Sequence, residues 1–348
     1  MDQDAASEIA AATAMGRKTY RFDEAHDPRL PAQMWFQRSD EGLILFLVFY
    51  TQACRWSRCL GCNLPSKGSQ FPVGYKALLA QIEHVFADGE VVRQKDAIRK
   101  VILSNNGSVL DQETFSTMAL MYFVVQMNLL LPNVAVLGVE TRPEYVELAE
   151  LEILRRGLEE GDTPTALELA IGFEAFDDTV RNQVFHKGIA LGAVENLVRK
   201  IARVNRRARY GYRLKCYFMQ KPVPGMRDDE AVEDVQRGIE YLSGLAGRYK
   251  VRINLHLNPT FVAAGTPLEE SFRRGLYAPP RLADVARAAL HAEGRPISLF
   301  LGLYDEGLAV EGGSFVRDGD GPLLERLEAF NRTQDFAILR SLPPPGPA

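Results

Sequence analysis

The sequence predicts an α/β protein in which parallel strands form a partial (β/α)6, TIM-like barrel with a short C-terminal extension. Short apolar runs alternate six times with longer segments of helical periodicity, and this pattern is typical of a parallel sheet covered by helices. No linker rich in Pro, Gly or Ser interrupts residues 43–292, so these elements are predicted to form one domain. A chain of 348 residues is long enough to bury a substantial core.

Strands are predicted where short runs are apolar and rich in β-branched or aromatic residues. They comprise residues 43–50, 101–104, 134–140, 167–174, 212–219, 251–258 and 297–303. Helices are predicted between them, at residues 75–87, 112–128, 143–156, 191–204, 229–245 and 281–291. Three of these helices have start signals, namely Asp111 as an N-cap, Pro143 in a first turn and Asp228 with Asp229 at a third start.

The two ends of the chain are predicted to lie outside the barrel. Residues 1–40 are a leader and lead-in, of which the Ala-rich, acidic residues 1–15 are expected to be disordered. Residues 41–295 form the core and residues 296–340 the extension, with a surface loop at 306–321 and a last helix at 323–331. The Pro-rich residues 341–348 are predicted to be a disordered tail.

Composition and charge exclude several classes of protein. Hydrophobic residues make up 46% and charged residues 25% of the chain, which rules out a disordered, collagen-like or coiled-coil protein. Lys and Arg number 41 against 45 Asp and Glu, a net charge of −4, so a globally basic surface for nucleic acid is absent. The apolar runs are too short for a membrane span and no signal peptide precedes them, so a cytoplasmic location is expected.

The cysteines are the most informative residues in the composition. There are four, and Cys54, Cys59 and Cys62 follow the first predicted strand in one loop, whereas Cys216 stands alone. Loops at the carboxyl ends of parallel strands are where such folds carry their chemistry. In a reducing compartment, closely spaced cysteines indicate metal ligands rather than disulfides.

Four interpretations of this loop compete. A structural zinc site needs a second pair of ligands, which the sequence does not supply. A two-iron ferredoxin has the same C-x4-C-x2-C spacing but needs a further cysteine, and Cys216 lies inside a predicted strand. Three cysteines that only pack together are disfavoured, because the loop is rich in Arg, Ser and Gly. The ligand count favours a [4Fe-4S] cluster held by three thiolates, with the fourth iron open to a small molecule.

A three-cysteine loop after the first strand of a six-fold βα alternation resembles the radical S-adenosylmethionine (SAM) superfamily. The commonest spacing in that superfamily is C-x3-C-x2-C, so this chain has one extra residue between Cys54 and Cys59, and Gly61 stands where an aromatic residue often precedes the third cysteine. The resemblance implies that Cys54, Cys59 and Cys62 are the catalytic cluster ligands. It also implies [4Fe-4S] and SAM as cofactors, and an electron donor such as flavodoxin or ferredoxin.

Positions after the second and third strands agree with this resemblance. The superfamily has a Gly-rich turn there that binds the SAM amino group, and this chain has Asn105, Asn106, Gly107 and Ser108. The alternative is an ordinary strand-to-helix turn. The third strand ends with Glu140 and Arg142, for which the resemblance implies a contact of Glu140 with SAM and the alternative is a simple ion pair between the two side chains.

The segment after the fourth strand resembles the elongator and archaeosine-synthase subgroup of the superfamily. It runs from Glu174 through Arg181 to His186, Lys187 and Gly188. The resemblance implies that Glu174 contacts the ribose or amino group of SAM and that Lys187 contacts its carboxylate. The subgroup often has Arg at the second position, so a single point charge replaces a bidentate guanidinium.

The last two strands of the core are predicted to turn polar side chains into the barrel. With a period of two, Lys215, Tyr217 and Met219 share one face of the fifth strand, while Cys216 on the other face is a core residue. Lys215 needs an anionic partner in that interior, so a contact with SAM or substrate is predicted. Asn254, His256 and Asn258 alternate with apolar residues on the sixth strand and predict a polar lumen.

The resemblance implies a radical SAM enzyme, a transferase or lyase of biosynthesis, that reductively cleaves SAM to modify a small molecule of natural-product type. A first alternative is transfer of the 3-amino-3-carboxypropyl group of SAM, for example to arsenic as in the arsinothricin pathway. A second is tRNA-base modification of archaeosine-synthase type, which is not favoured because the basic run at 206–213 follows a helix and is interpreted as its solvated end. A non-enzymatic alternative is an iron–sulfur electron-transfer protein.

Overall fold

A computed structural model of the chain describes residues 2–305 and 307–342. Its centre is an eight-stranded sheet in which the strands lie side by side in chain order. These are β1 (Gln33–Ser39), β2 (Gly42–Val48), β3 (Ile98–Ser104), β4 (Val136–Thr141), β5 (Ala166–Glu174), β6 (Arg213–Gln220), β7 (Ile253–Pro259) and β8 (Ser298–Leu301). β1 is antiparallel to β2, and all later neighbours are parallel. The predicted partial barrel is confirmed.

Helices connect and cover these strands. They are α1 (Asp2–Met15), α2 (Tyr75–Ala87), α3 (Gly89–Gln94), α4 (Thr117–Leu130), α5 (Leu148–Glu159), α6 (Leu191–Asn205), α7 (Asp228–Tyr249), α8 (Pro267–Arg273), α9 (Leu282–Ala289), α10 (Gly321–Thr333) and α11 (Phe336–Arg340). A π-helical turn at Thr179–Val184 follows β5. None of the described helices combines the length and the apolar character needed to cross a bilayer.

Strand β1 is an element that the sequence reasoning missed. It pairs with β2 through a hairpin whose loop is Asp40 and Glu41, and Gly42 closes the loop with a φ of +99°. Polar residues interrupt the apolar pattern of β1, which leaves no continuous run to recognise. The sheet therefore extends beyond the core predicted at 41–295, with β1 before it and β8 after it.

The N-terminus corrects a second prediction. Residues 1–15 were expected to be disordered, but Asp2–Met15 forms helix α1. Ala6, Ile9 and Ala12 recur at a spacing of three along this helix and are buried. Most of the apolar residues of this segment are alanines, which occur on all sides of the helix, so the buried stripe is easy to miss.

Helix α4 begins later than predicted. Its N-cap is Ser116, whose hydroxyl accepts the Ala119 backbone N–H at 3.2 Å. Asp111 instead accepts the backbone N–H of Glu113 at 3.3 Å and lies 3.4 Å from Arg55. Asp111 therefore stabilises the turn between β3 and α4 and is not the cap of the helix.

Alternation along the strands separates an apolar outside from a polar lumen. On β6, Cys216 and Phe218 are fully buried in the core against the helices, as predicted for Cys216. Their neighbours Lys215 and Tyr217 point to the opposite face. Of the basic run at 206–213, Arg206, Arg207 and Arg209 are exposed after α6, which agrees with a solvated helix end. Arg213 instead begins β6 and its side chain is largely buried, so the prediction is wrong for this residue. The predicted tail residues 343–348 lie outside the described residues.

A buried ion network, which we call the basal network, closes the amino-terminal end of the lumen. Glu168 lies 2.6 Å from Lys100, 3.0 Å from Arg213 and 3.7 Å from Lys215, and Glu41 contacts both Lys100 and Arg213. Burial opposes the charge of Glu168, but these cations outweigh it and lower its pKa to about 2. The anionic partner expected for Lys215 is therefore Glu168.

Replacing Glu168 with Gln is expected to destabilise the fold by roughly 3 kcal/mol at pH 7, because it leaves buried cations without their counter-charge. Since the native pKa of Glu168 is depressed, its contribution is fully present above about pH 4.5 and is lost as the pH falls towards 2. Denaturant unfolding from pH 7 downwards should show the two proteins converging in acid. Glu233→Gln, at an exposed position of α7, is the control, and an equal loss in both variants contradicts the prediction.

Candidate functional site

The loop with three cysteines opens into a large cavity among the described residues. This cavity has a volume of about 1080 Å³ and lies at the carboxyl ends of the parallel strands. Cys54, Cys59 and Cys62 all line it, and each is half-buried with a free thiol. The sequence folds this way because β2 ends at Val48 and delivers the loop directly to that end of the sheet.

The three thiols share one electrostatic environment. Burial raises the pKa of the Cys59 thiol to about 12, with an opposing effect of Lys187 and a further rise from Cys62. Burial also raises the pKa of Cys62, opposed by Lys18. Among the described residues, no three His, Cys, Asp or Glu side chains are placed to hold a single metal ion. In a four-iron cluster each thiolate binds a different iron, so the three sulfurs need not converge on a single ion. Coordination by the cluster also deprotonates a thiol whose pKa is raised in the free protein.

Lys18 holds the cysteine loop from the N-terminal side. Its ammonium donates hydrogen bonds to the backbone carbonyls of Cys59, Leu60 and Cys62, at 2.5, 3.0 and 2.9 Å. Burial lowers the pKa of Lys18, although nearby Cys62 and Cys59 raise it. The segment that follows α1 therefore forms part of the site, and the sequence reasoning did not identify it.

Replacing Lys18 with Met is expected to loosen the loop, because three partly buried carbonyls lose a charged donor while the length of the side chain is kept. The free energy of unfolding should fall by about 2 kcal/mol. Urea unfolding of the full chain measures this change. Lys76→Met, at an exposed lysine of α2, is the matched control, and a loss no larger than that of the control contradicts the role of Lys18.

Trp56 fixes the other side of the loop. Its indole N–H donates to the carbonyl of His186 at 2.7 Å, and its ring lies between the guanidinium groups of Arg58 and Arg142, at 4.8 and 4.6 Å. Gly188 has a φ of +69°, and a Cβ there would lie 2.3 Å from the indole. A glycine is thus required where the ring packs on the backbone.

The turn after β3 approaches the cysteine loop closely. A Cβ on Gly107 would lie 3.3 Å from the Cα of Cys54, and both Gly107 and Asn106 line the cavity. Asn105 is buried and accepts the Gly107 N–H at 3.1 Å, so it shapes the turn from behind. Ser108 is also buried and does not line the cavity. Two of the four residues predicted in this turn therefore face the site.

Glu174 and Lys187 form an ion pair inside the cavity. The carboxylate and the ammonium are 2.7 Å apart, and each side chain is 12% exposed. Burial opposes the charge of Lys187, but Glu174 and Cys59 raise its pKa to about 12. A Cβ on Gly172 would lie 2.1 Å from the carboxylate and 2.2 Å from the ammonium, so the glycine leaves the space that the pair occupies.

Arg181 brings Lys187 back towards Glu174. Its guanidinium is fully buried and donates to the carbonyls of Ile189 at 2.6 Å and Ala175 at 3.0 Å. The backbone N–H of Lys187 donates to the Arg181 carbonyl at 2.9 Å. A buried arginine thus closes the segment that connects the two members of the pair.

Glu140 lies in the same cavity but has different partners from those expected. The hydroxyl of Tyr217 donates to its carboxylate, while Arg142 pairs with Glu144 and donates to the carbonyl of Lys187 at 3.1 Å. The simple ion pair between Glu140 and Arg142 is therefore wrong. Burial raises the pKa of Glu140, against the hydrogen bonds of Ser104 and Tyr217.

Lys215 is the predicted site residue that the structure separates from the others. It belongs to the basal network and lines a second cavity of about 420 Å³ at the opposite end of the lumen. His256 and Asn258 do line the main cavity, and Asn254 lines the second one. The polar lumen predicted from the sixth strand is confirmed, but its residues are divided between two cavities.

Comparisons with known proteins place the chain among distant relatives. No family model matches it. An uncharacterized protein of Methanocaldococcus jannaschii is 22% identical over 329 residues, which cover 90% of this chain and 84% of that relative.

The solved structures that match the chain are also distant. Elp3 of Methanocaldococcus infernus matches with a TM-score of 0.44 and 14% identity, over 65% of this chain and 51% of its own. The radical SAM methyltransferase TsrM of Kitasatospora setae, with cobalamin and a [4Fe-4S] cluster bound, matches with a TM-score of 0.42 and 14% identity, over 64% of this chain and 38% of its own. A second TsrM structure holds its tryptophan substrate and a SAM analog, and 71% of this chain covers 40% of it. The chain spans about half the length of the Elp3 structure and about two fifths of TsrM.

Proposed function

We propose that this chain is a radical SAM enzyme that modifies a small molecule. The observation that carries the proposal is that one cavity is lined by Cys54, Cys59, Cys62 and the Glu174–Lys187 pair. Three free thiols from one loop supply the donor set of a [4Fe-4S] cluster with one open iron. Nearby side chains of both charges supply partners for a zwitterionic ligand.

The chain's own residues suit the groups of SAM. The amino-acid part of SAM carries an ammonium and a carboxylate, and Lys187 and Glu174 offer the complementary charges only 2.7 Å apart. In this proposal Lys187 binds the carboxylate, and Glu174 turns to the ribose or the amino group. Asn106 and Gly107 border the amino group beside Cys54.

When bound, a reduced cluster supplies the single electron that breaks a carbon–sulfur bond of SAM. The protein orients SAM and encloses it between the cysteine loop and the strand ends, which keeps water and oxidants away. We further propose that the enzyme works in the cytoplasm, where its thiols stay reduced, and that a small redox protein such as flavodoxin or ferredoxin delivers the electron.

Identification of the SAM fragment tests this proposal. Anaerobically reconstituted, chemically reduced protein is incubated with SAM, and the products are separated by chromatography. We expect 5′-deoxyadenosine, which indicates hydrogen abstraction. Methylthioadenosine would instead support aminocarboxypropyl transfer, and the absence of both products in iron-loaded protein would contradict a SAM-cleaving function and favour an electron-transfer protein.

A further inference from the structure

We propose that the main cavity binds, beside His256 and Phe300, a planar ring that carries a hydrogen-bonding group and no positive charge. That this ring is the substrate rests on the proposed function, whereas its binding does not. Three features of the described residues support the proposal: an aromatic wall, a buried histidine with a nitrogen that lacks a partner, and a buried lysine close to both.

The aromatic wall comes from the hairpin and the last strand. Trp35 on β1 lies opposite Phe46 on β2 in the register, and their rings stack at 4.3 Å with an angle of 10°. Phe300 on β8 lines the same cavity. An aromatic face packs against a flat ring with a more favourable geometry than against a saturated ring. The apolar core of the protein lies on the outward face of the sheet. Packing of the core therefore does not require these aromatic rings on the inward face.

His256 supplies a polar group at the edge of this wall. It is 9% exposed, and its ring lies 4.9 Å from that of Tyr217 and 4.7 Å from that of Phe300. Its Nδ1 has no hydrogen-bond partner among the described residues. Burial, Lys215 and Lys100 lower its pKa well below the usual value, so the imidazole is neutral. A buried polar atom without a partner is costly, and a ligand that bonds to it recovers that cost.

Glycine leaves room beside this histidine. A Cβ on Gly302 would lie 2.0 Å from the Asn258 side-chain oxygen and 2.9 Å from the His256 Nε2. The side chains of Asn258 and His256 therefore sit directly against the backbone of β8. This packing keeps His256 and Asn258 on the wall of the lumen, where both line the main cavity.

Charge decides which rings fit. The ammonium of the buried Lys215 lies 5.9 Å from the ring centroids of both Tyr217 and Phe300. Lys215 is also one of the charges that lower the pKa of His256. A cationic ring would be repelled there, because it carries the same sign of charge as Lys215. The ligand class is therefore a planar heteroaromatic compound without positive charge.

Quinoxaline, an uncharged flat bicycle with two acceptor nitrogens, is a suitable probe. Calorimetric titration of the full chain as purified should show saturable binding. N-methylquinoxalinium should bind about tenfold more weakly, because it carries the same sign of charge as the nearby Lys215, and cyclohexanol should not bind. Comparable binding of the methylated cation, or no binding of quinoxaline, would overturn the inference.

Variants locate the probe. His256→Leu and Trp35→Leu should each weaken quinoxaline binding about tenfold, and Phe300→Leu serves where either of them fails to fold by circular dichroism. Leu45→Met, on the outward face of β2, should bind as the parent does. If all variants bind equally, the ring lies elsewhere and the inference is wrong. Iron content and SAM cleavage of the parent protein are measured separately, so a failure to bind quinoxaline beside intact SAM cleavage refutes only this inference.

Discussion

Changing Cys54, Cys59 or Cys62 to Ala, one at a time, is expected to abolish iron binding and SAM cleavage. The chain offers only these three thiols to the cavity, and a cluster that already lacks a fourth protein ligand cannot lose another without becoming labile. Anaerobic reconstitution followed by iron and sulfide analysis should show about four irons per parent chain and below about one in each variant. The absorption of the cluster in the near-ultraviolet and visible range should disappear together with the iron.

Cys216→Ala is the matched control, since it removes a thiol that lies in the core and away from the cavity. This variant should keep its iron, while its free energy of unfolding falls by about 1 kcal/mol because a small cavity is left. The proposed centre would be refuted by a parent protein that takes up one zinc and no iron. It would equally be refuted if the three loop variants retained iron as well as Cys216→Ala does.

Much of the sheet was predictable because its strands are short, nearly continuous apolar runs, and several of them are buried on both faces. A period of two on the later strands correctly assigned Cys216 to the core and His256 to the lumen. Helix α2 was predicted with its exact bounds, since its apolar residues recur at helical spacing. These features are local, so a single sequence contains the information that specifies them.

Long-range contacts account for what the sequence did not reveal. Lys18 reaches carbonyls more than forty positions away, and no local pattern marks a lysine for that role. Lys215 was expected near SAM because a buried cation needs an anion, and that argument was sound. The anion is Glu168 on the neighbouring strand, and only the register of the two strands identifies it. Glu140 likewise has its partner, Tyr217, on a strand that is not adjacent in the chain.

The ion pair between Glu174 and Lys187 is expected to control SAM affinity. Glu174→Gln and Lys187→Met should each weaken SAM binding to the cluster-loaded protein about 10- to 100-fold, because each leaves the other charge buried and removes one contact to the ligand. Since the pKa of Lys187 is raised to about 12, the binding curve should show no titration of Lys187 at neutral pH. Equilibrium dialysis or calorimetry with SAM measures the loss.

A second buried pair separates this role from a loss of stability. Lys221 and Asp228 are also 2.7 Å apart, with side chains 13% and 29% exposed, but they do not line the cavity. Asp228→Asn should lower the melting temperature about as much as Glu174→Gln does, and should leave SAM affinity unchanged. Lys187→Arg should retain most of the affinity, because a guanidinium keeps the charge and adds a bidentate fork for the carboxylate. If Lys187→Arg binds SAM as weakly as Lys187→Met, or if Asp228→Asn weakens binding as much as Glu174→Gln, charge pairing at this position does not hold SAM.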